Sequence, residues 1–563
     1  MRSQRPKGLL ATASVAVALA AADTYVVVLA LPDMMTGVGV GVDALQKATP
    51  IVSGFLLGYI AVLPLIGRLA DLVARQRILL WCLAIFVLGS SITAVAAELP
   101  VLVAGRVLQG VGGGGLVPAT LALVAALWPA GQRGTAFGVV GAVQEVGSVL
   151  GPLFGALILA HASWHWIFWI NAIAGIVLAI MIRLMGGRGE QSAYAPTIPR
   201  WWHALTALAV VVTVVLLGLA LIAPEALTTS VQYGDPFVPY AGHTARLATP
   251  IGLWGLGALA VLLVLSARYW WPVLRRADLF GALLIAVALG ALVLTFASAN
   301  PETQVVGPWG LWLLPIGILA VVVYLWWHRR AATPLIARGS VVGRVRPGLA
   351  VSLLVGTAIV AVVVDIPVLA RLTVTDSQTE AAIILVRFLL AVPVGALLGG
   401  WLLRRVGPGL VAGPGLGLAA IGLFGMSRWT GKALETPMAT VLLILVGLGV
   451  GLAIAPVNDA ALHDADEEHH GVTSALIVVA RMIGMVVGLA LLTAIGLHRF
   501  YAEIGSLSNP TPAQYTAAGV TQVTTVLLGA ALAAAVAAVV AVFLGRRPLR
   551  HTADSETTRP VVW

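Results

Sequence analysis

Six charged side chains stand inside long apolar stretches of this chain: Asp23, Arg106, Glu145, Asp365, Arg387 and Arg481. A charge in hydrocarbon is costly unless it faces a partner or a water-filled cavity. Carboxyl groups held at that depth can take up and release protons, and Asp23, Glu145 and Asp365 are the candidates for proton coupling. Arg106, Arg387 and Arg481 are the candidate charge partners, setting the state of a carboxylate or the position of a helix. A second reading of Asp23 and Glu145 is a static pair with Arg106 or Arg481 that fixes packing. Asp365 falls near one end of its run, which favours a proton role less strongly. An anionic headgroup site at the arginines is a further reading.

Two backbone patterns accompany these charges. Residues 67–79 read Gly67-Arg68-Leu69-Ala70-Asp71-Leu72-Val73-Ala74-Arg75-Gln76-Arg77-Ile78-Leu79, a charged turn between two apolar runs. Gly67 permits close backbone approach, Asp71 is placed to cap a neighbouring helix, and Arg75 belongs on the side of the membrane that keeps arginines. A second run, residues 141–155, places Gly147, Gly151 and Gly155 four apart with Pro152 beside them. Small residues at that spacing let helices approach closely, and the proline permits a bend.

Composition sets the frame for these residues. Of 563 residues, 60% are hydrophobic and only 10% charged, a balance that implies an all-α polytopic membrane protein. The net charge of +10 reads first as membrane orientation, not nucleic-acid binding. The single cysteine, Cys82, excludes an intrachain disulfide and a cysteine-based metal site. No Walker phosphate loop is present, so ATP is not expected to power the protein. His469-His470 beside Glu467-Glu468 reads as a solvated loop in preference to a metal site. No cofactor is expected.

Apolar runs of spanning length number about sixteen, grouped as six, four and six. Arginines concentrate in alternate loops: Arg68, Arg75 and Arg77; Arg183, Arg188 and Arg200; Arg275 and Arg276; Arg329 to Arg346; Arg404 and Arg405; Arg546 to Arg550. Arg371, Arg428 and Lys432 are exceptions. The bias places both termini in the cytoplasm. The expected organisation is a six-helix half over 1–184 and a linker with four inserted helices over 185–345. A second half over 346–546 and a cytoplasmic tail over 547–563 follow. An extra helix pair within 201–268 is expected to face lipid, or to dock a partner or lipid. The run Gly496–Ile504 keeps helical periodicity, so the last two helices are expected to protrude into the periplasm, joined by roughly 15–20 residues; an ordinary long loop is the alternative reading.

The 67–79 motif resembles the loop between the second and third helices of major facilitator transporters, with Ala74 in place of a second glycine. Gly147, Gly151, Pro152 and Gly155 resemble the antiporter motif of the fifth helix. Arg106-Val107-Leu108-Gln109-Gly110, Trp164–Asn171 and Asp23–Pro32 resemble patterns of the fourteen-span drug:proton antiporter group. His165 replaces an arginine, Tyr25 a threonine and Val28 an asparagine. The apolar first-span variant, with Gln144–Pro152, Val364-Asp365, Ala391–Ala396 and Val478–Met485, resembles the triacylglyceride-exporter branch of that group. The resemblance implies two six-helix halves rocking around a central cavity, proton coupling, and a cargo of lipid or hydrophobic drug. It also implies an inner-membrane location and a periplasmic lipoprotein partner; a monomer is expected. It does not cover about 201–268.

Rival readings are a multidrug antiporter without a lipid role, a polar-solute importer, a membrane-embedded lipid-modifying enzyme, and a receptor built on an inactive transporter. Scarce intramembrane polar groups oppose the importer. The enzyme would need a nucleophile or base constellation at a membrane surface; His161 and His165 are the nearest candidates and fit a tryptophan-rich interfacial belt better. Retention of Asp23 and Glu145 opposes the inactive receptor.

Overall fold

Hydrocarbon offers no hydrogen-bond partner to backbone N–H and C=O groups, so a chain of this composition satisfies them within helices. The structure, a computed structural model, describes residues 4–41, 45–127, 130–185, 199–230, 233–240, 245–275, 277–297, 305–307, 309–332, 334–336, 338–339, 341–375, 377–403, 405–464, 470–507 and 509–545. The first six helices are α1 (Gln4–Gly37), α2 (Leu45–Leu72), α3 (Arg75–Ala94), α4 (Leu99–Leu127), α5 (Ala130–Leu159) and α6 (His165–Met185). An insertion follows: α7 (Arg200–Ile222), the one-turn α8 (Glu225–Thr228), α9 (Pro250–Leu274), α10 (Leu279–Ala297) and α11 (Gly310–Arg330). The last six are α12 (Val345–Thr373), α13 (Gln378–Leu402), α14 (Pro408–Met426), α15 (Pro437–His463), α16 (His470–Gly505) and α17 (Pro512–Ala541). Among the described residues, 15 helices are long and apolar enough to cross a membrane, and α2 carries a shorter apolar stretch, Pro50–Val62.

The two sets of six pack alike. In the first, α1 lies on α5, α2 on α4, α3 on α4 and α6; in the second, α12 lies on α16, α13 on α15, α14 on α15 and α17. The sets meet through α5 against α13 and α2 against α16, a pair of contacts that the same repeat interchanges.

Close backbone approach explains the α1–α5 pairing. A Cβ at Gly147, Gly151 or Gly155 would come under 3.0 Å from Ala18, Ala22 or Val26 of α1, so the same four-residue step runs along both helices. The second set repeats the device, which sequence reading overlooked: a Cβ at Gly484 or Gly488 of α16 would collide with Leu353 or Thr357 of α12. The Thr357 hydroxyl adds a hydrogen bond to the Gly484 carbonyl at 3.0 Å.

Between the sets, α7 pairs chiefly with α9, and α10 with α11. The α7–α9 pair is largely exposed, with 17% of each apolar window buried, as expected of helices that face lipid. Its loop is tied to the first set where Glu98 Oε1 accepts from the Arg246 backbone N–H at 2.5 Å. α10 also packs on both α2 and α16. Asp278 clamps the second pair: its carboxylate accepts from Gly281 N at 2.9 Å, Trp327 Nε1 at 2.8 Å and Leu335 N at 3.0 Å.

Two expectations need correction. The 67–79 motif is not a loop: α2 continues to Leu72 and α3 starts at Arg75, so Gly67 and Asp71 lie in the last turns of α2. Their side chains are outside the described residues. The connection between the last two helices is also shorter than 15–20 residues: helix runs to Gly505 and resumes at Pro512. Thr511 and Gln514 form a capping box there and Pro512 occupies the first turn, which starts α17 early. α16, with 36 residues, is about 54 Å long, well beyond the ~30 Å hydrocarbon core.

Gly151→Ala is expected to lower the unfolding midpoint in detergent, at a cost of about 1–3 kcal/mol, because its methyl meets the Ala22 backbone. Gly141→Ala, on the same helix with nothing within 4 Å, should leave the midpoint unchanged or raise it. Equal effects would refute the α1–α5 seam.

Candidate functional site

Asp23, midway along α1, is 1% exposed. Two neighbouring helices, α4 and α6, supply its three donors. Arg106 Nη1 of α4 reaches Oδ2 at 2.5 Å. Gln109, one turn later on the same face of α4, donates to Oδ1 at 3.0 Å, and Asn171 of α6 donates to the same oxygen at 2.5 Å. Gln109 Nε2 also donates to Ser90 Oγ of α3 at 2.9 Å. Arg106 Nε donates to the Ile51 carbonyl of α2 at 3.2 Å, and its guanidinium lies 4.3 Å from the Phe55 ring centroid. One carboxylate thus joins α1, α4 and α6 directly, with α2 and α3 attached through Arg106 and Gln109.

The i, i+3 spacing of Arg106 and Gln109 puts both on one helix face, and Arg106 Nη1 donates to Gln109 Oε1 at 2.7 Å. Arg106 is fully buried, and its Nη2 has no hydrogen-bond partner among the described residues. Buried charge is tolerable because the pair is close and multiply hydrogen-bonded; removing one member leaves the other unpaired at high cost. Of the two partners considered for Asp23, Arg106 is the one in place. Gln109, Asn171 and Ser90 had no role assigned from sequence. Gln109 and Asn171 nonetheless stand inside the patterns quoted there, and polar amides within apolar runs were the available signal.

The remaining charges are dispersed. Glu145 lies in α5, its side chain outside the described residues. Asp365 of α12 is 5% exposed, and among the described residues no hydrogen bond or ion pair reaches it. Arg387 of α13, expected to set either a carboxylate's state or a helix position, donates to the Thr440 hydroxyl of α15 at 2.7 Å, the polar group that α13–α15 packing brings beside it. Arg481 of α16 lines a cavity with Ser352 and Val355 of α12, and Ala453, Ile454, Val457 and Asn458 of α15. This cavity holds about 340 Å³ of empty volume including its mouth, and its wall is mostly apolar. Arg75 is the first residue of α3. His161 and His165 make only local contacts: His161 Nδ1 with the Leu157 carbonyl, and His165 with Ser163 and the stacked Trp164 ring. Glu467, Glu468 and His469 lie outside the described residues.

Two pseudo-symmetric six-helix sets, a buried ion pair in one and an apolar cavity in the other, define a polytopic membrane transporter. The sequence profile of the Major Facilitator Superfamily matches residues 13–343 and 279–489, and the chain belongs to that superfamily. It is 35% identical over 510 residues to a triacylglyceride transporter of Mycobacteroides abscessus, covering 89% of this chain and 84% of that one. A triacylglyceride transporter of Mycobacterium tuberculosis is 34% identical over 522 residues, covering 89% and 85%. Among solved structures, the POT family transporter PepTSo superposes with a TM-score of 0.57 at 15% identity, covering 96% of this chain and 97% of that one. An auto-inhibited POT family peptide transporter gives 0.52 at 15% identity, covering 95% of each; at such identity the likeness shows the fold alone.

Arg106→Ala is expected to destabilise the protein by about 3–5 kcal/mol by stranding the Asp23 charge. The Asp23→Asn/Arg106→Gln double variant should lose less than the sum of its single variants, read as unfolding midpoints in a double-mutant cycle. Strict additivity would show that the pair does not act as a unit.

Proposed function

We propose that this transporter exports a lipid of triacylglyceride type across the cytoplasmic membrane, exchanging it for protons. The observation that carries the reading is the identity of 34–36% to relatives named triacylglyceride transporters, sustained over 87–90% of this chain. The apolar wall between α12, α15 and α16 supports it, since such a wall suits acyl chains and leaves polar solutes undersatisfied. In this conformation the cavity, much of whose empty volume is open mouth, is far too small for a whole three-chain lipid, so cargo of that size requires the two sets to move apart. Hydrophobic drugs suit the same wall and are the second reading of the cargo.

In this mechanism residues 1–184 and 346–546 rock about the seam formed by α2, α5, α13 and α16. Protons bias one state over the other by binding it better. Asp23, Glu145 and Asp365 are the proposed carriers. Asp23 can take a proton only as its contacts to Arg106, Gln109 and Asn171 rearrange, which couples the proton to the position of α1 against α4 and α6. Asp365 needs no partner displaced among the described residues. The arginine bias supports cytoplasmic termini. The α16–α17 hairpin then projects into the periplasm, where a lipoprotein could receive cargo.

Proteoliposomes with labelled triacylglyceride and an imposed pH gradient test this directly. Wild type should move lipid with the gradient, and Asp23→Asn, Glu145→Gln and Asp365→Asn should each abolish or strongly reduce the gradient-driven part. Movement of a hydrophobic dye without lipid would reassign the cargo to drugs. Variants indistinguishable from wild type would remove proton coupling from these carboxylates.

A further inference from the structure

The end of the inserted α7–α9 pair carries a side-chain cluster that transport does not use. α7 has 23 residues and so rises about 35 Å, against a hydrocarbon core of ~30 Å. Its first turn therefore stands at headgroup depth, and the last two turns of α9 pack beside it. Two bonds lock the helix ends: Trp202 Nε1 donates to the Leu265 carbonyl at 3.0 Å, and the Tyr269 hydroxyl is hydrogen-bonded to His203 Nδ1 at 2.7 Å. On this platform Arg268 lies 4.8 Å from the Trp202 ring centroid and Arg275 5.1 Å from that of Trp271. Arg200 opens α7, three residues before His203, and all three arginines are exposed.

No acidic residue occurs in 199–206 or 262–275. Asp278, shortly beyond, is buried and committed to Gly281, Trp327 and Leu335. Among the described residues no hydrogen bond or ion pair occupies the guanidinium groups of Arg200, Arg268 or Arg275. A guanidinium stacked on an indole keeps its in-plane N–H donors available, a geometry matched to phosphate oxygens. Single stacks also occur at Arg330–Trp326 and Arg405–Trp401. The α7–α9 end differs in uniting two stacks and a third arginine on one cross-linked pair of helices.

We propose that this platform holds the phosphate of an anionic phospholipid from the surrounding leaflet, a resident lipid separate from the cargo. Charge complementarity and depth both select it. The pair has little protein to lean on beyond itself, so a bound headgroup fixes its depth and tilt.

Native mass spectrometry of the full chain, delipidated in neutral detergent and titrated with phosphatidylglycerol or phosphatidylcholine, tests the site. Wild type should favour phosphatidylglycerol several-fold, Arg268→Gln/Arg275→Gln should lose most of that preference, and Arg405→Gln should keep it. Arg268→Lys, a milder change that retains charge without the planar stack, should fall between. Wild type without a phosphatidylglycerol preference, or a double variant that keeps it in full, overturns the proposal. Stoichiometric displacement of the lipid by millimolar inorganic phosphate would assign the site to the free ion and overturn the lipid reading.

Discussion

Helices in hydrocarbon gain nothing by hiding apolar side chains from lipid, so their association depends on how closely their backbones can meet. In this protein that constraint is met along several seams, two of which join the first and fifth helices of each set. Gly147, Gly151 and Gly155 let α5 lie against α1, and Gly484 and Gly488 let α16 lie against α12. The helices α5 and α16 also carry the contacts between the two sets, through α13 and α2. The helices that join the two sets are therefore themselves closely seated within each set, which suits the proposed motion as rigid bodies.

The polar interior of the first set works by a different rule. Small-residue seams set spacing but specify little about rotation, whereas Asp23, Arg106, Gln109 and Asn171 are directional. Their hydrogen bonds are satisfied together only when α1, α4 and α6 present the right faces. The second set holds no comparable cluster among the described residues; Asp365 is buried alone and Arg387 serves Thr440. The repeat is thus conserved in packing and broken in chemistry, and the cavity lies in the half with the looser polar interior.

Most of the architecture was legible in the sequence, because apolar run length and arginine placement are direct consequences of the membrane. The α1–α5 seam was legible through glycine spacing and a proline. Its counterpart at Gly484 and Gly488 was not, since it lacks the proline that lifted the first above the background of 62 glycines. Partners of buried charges were legible only in part. Sequence offers Asp23 and Arg106 as candidates, but whether Arg387 meets a carboxylate or a hydroxyl depends on which residue α15 brings opposite it. Helix ends were the least legible: Thr511 with Gln514 shortened an expected loop, and α2 absorbed an expected turn.

The placement of α10 has a mechanical consequence. It touches α2 of one set and α16 of the other, so it straddles the joint on which any rocking must pivot. The preceding α7–α9 pair is moored to the first set at Glu98, while Asp278 binds the α10–α11 hairpin to the chain entering the second. If the two sets rock as proposed, a helix so placed serves as a bearing strip: it cannot follow both sets at once, and slides along one as the other turns. Its residue surface is accordingly smooth, built of Leu, Ala, Val and Gly from Leu283 to Leu294 with Ile285 the sole exception, and offers no polar catch to either side.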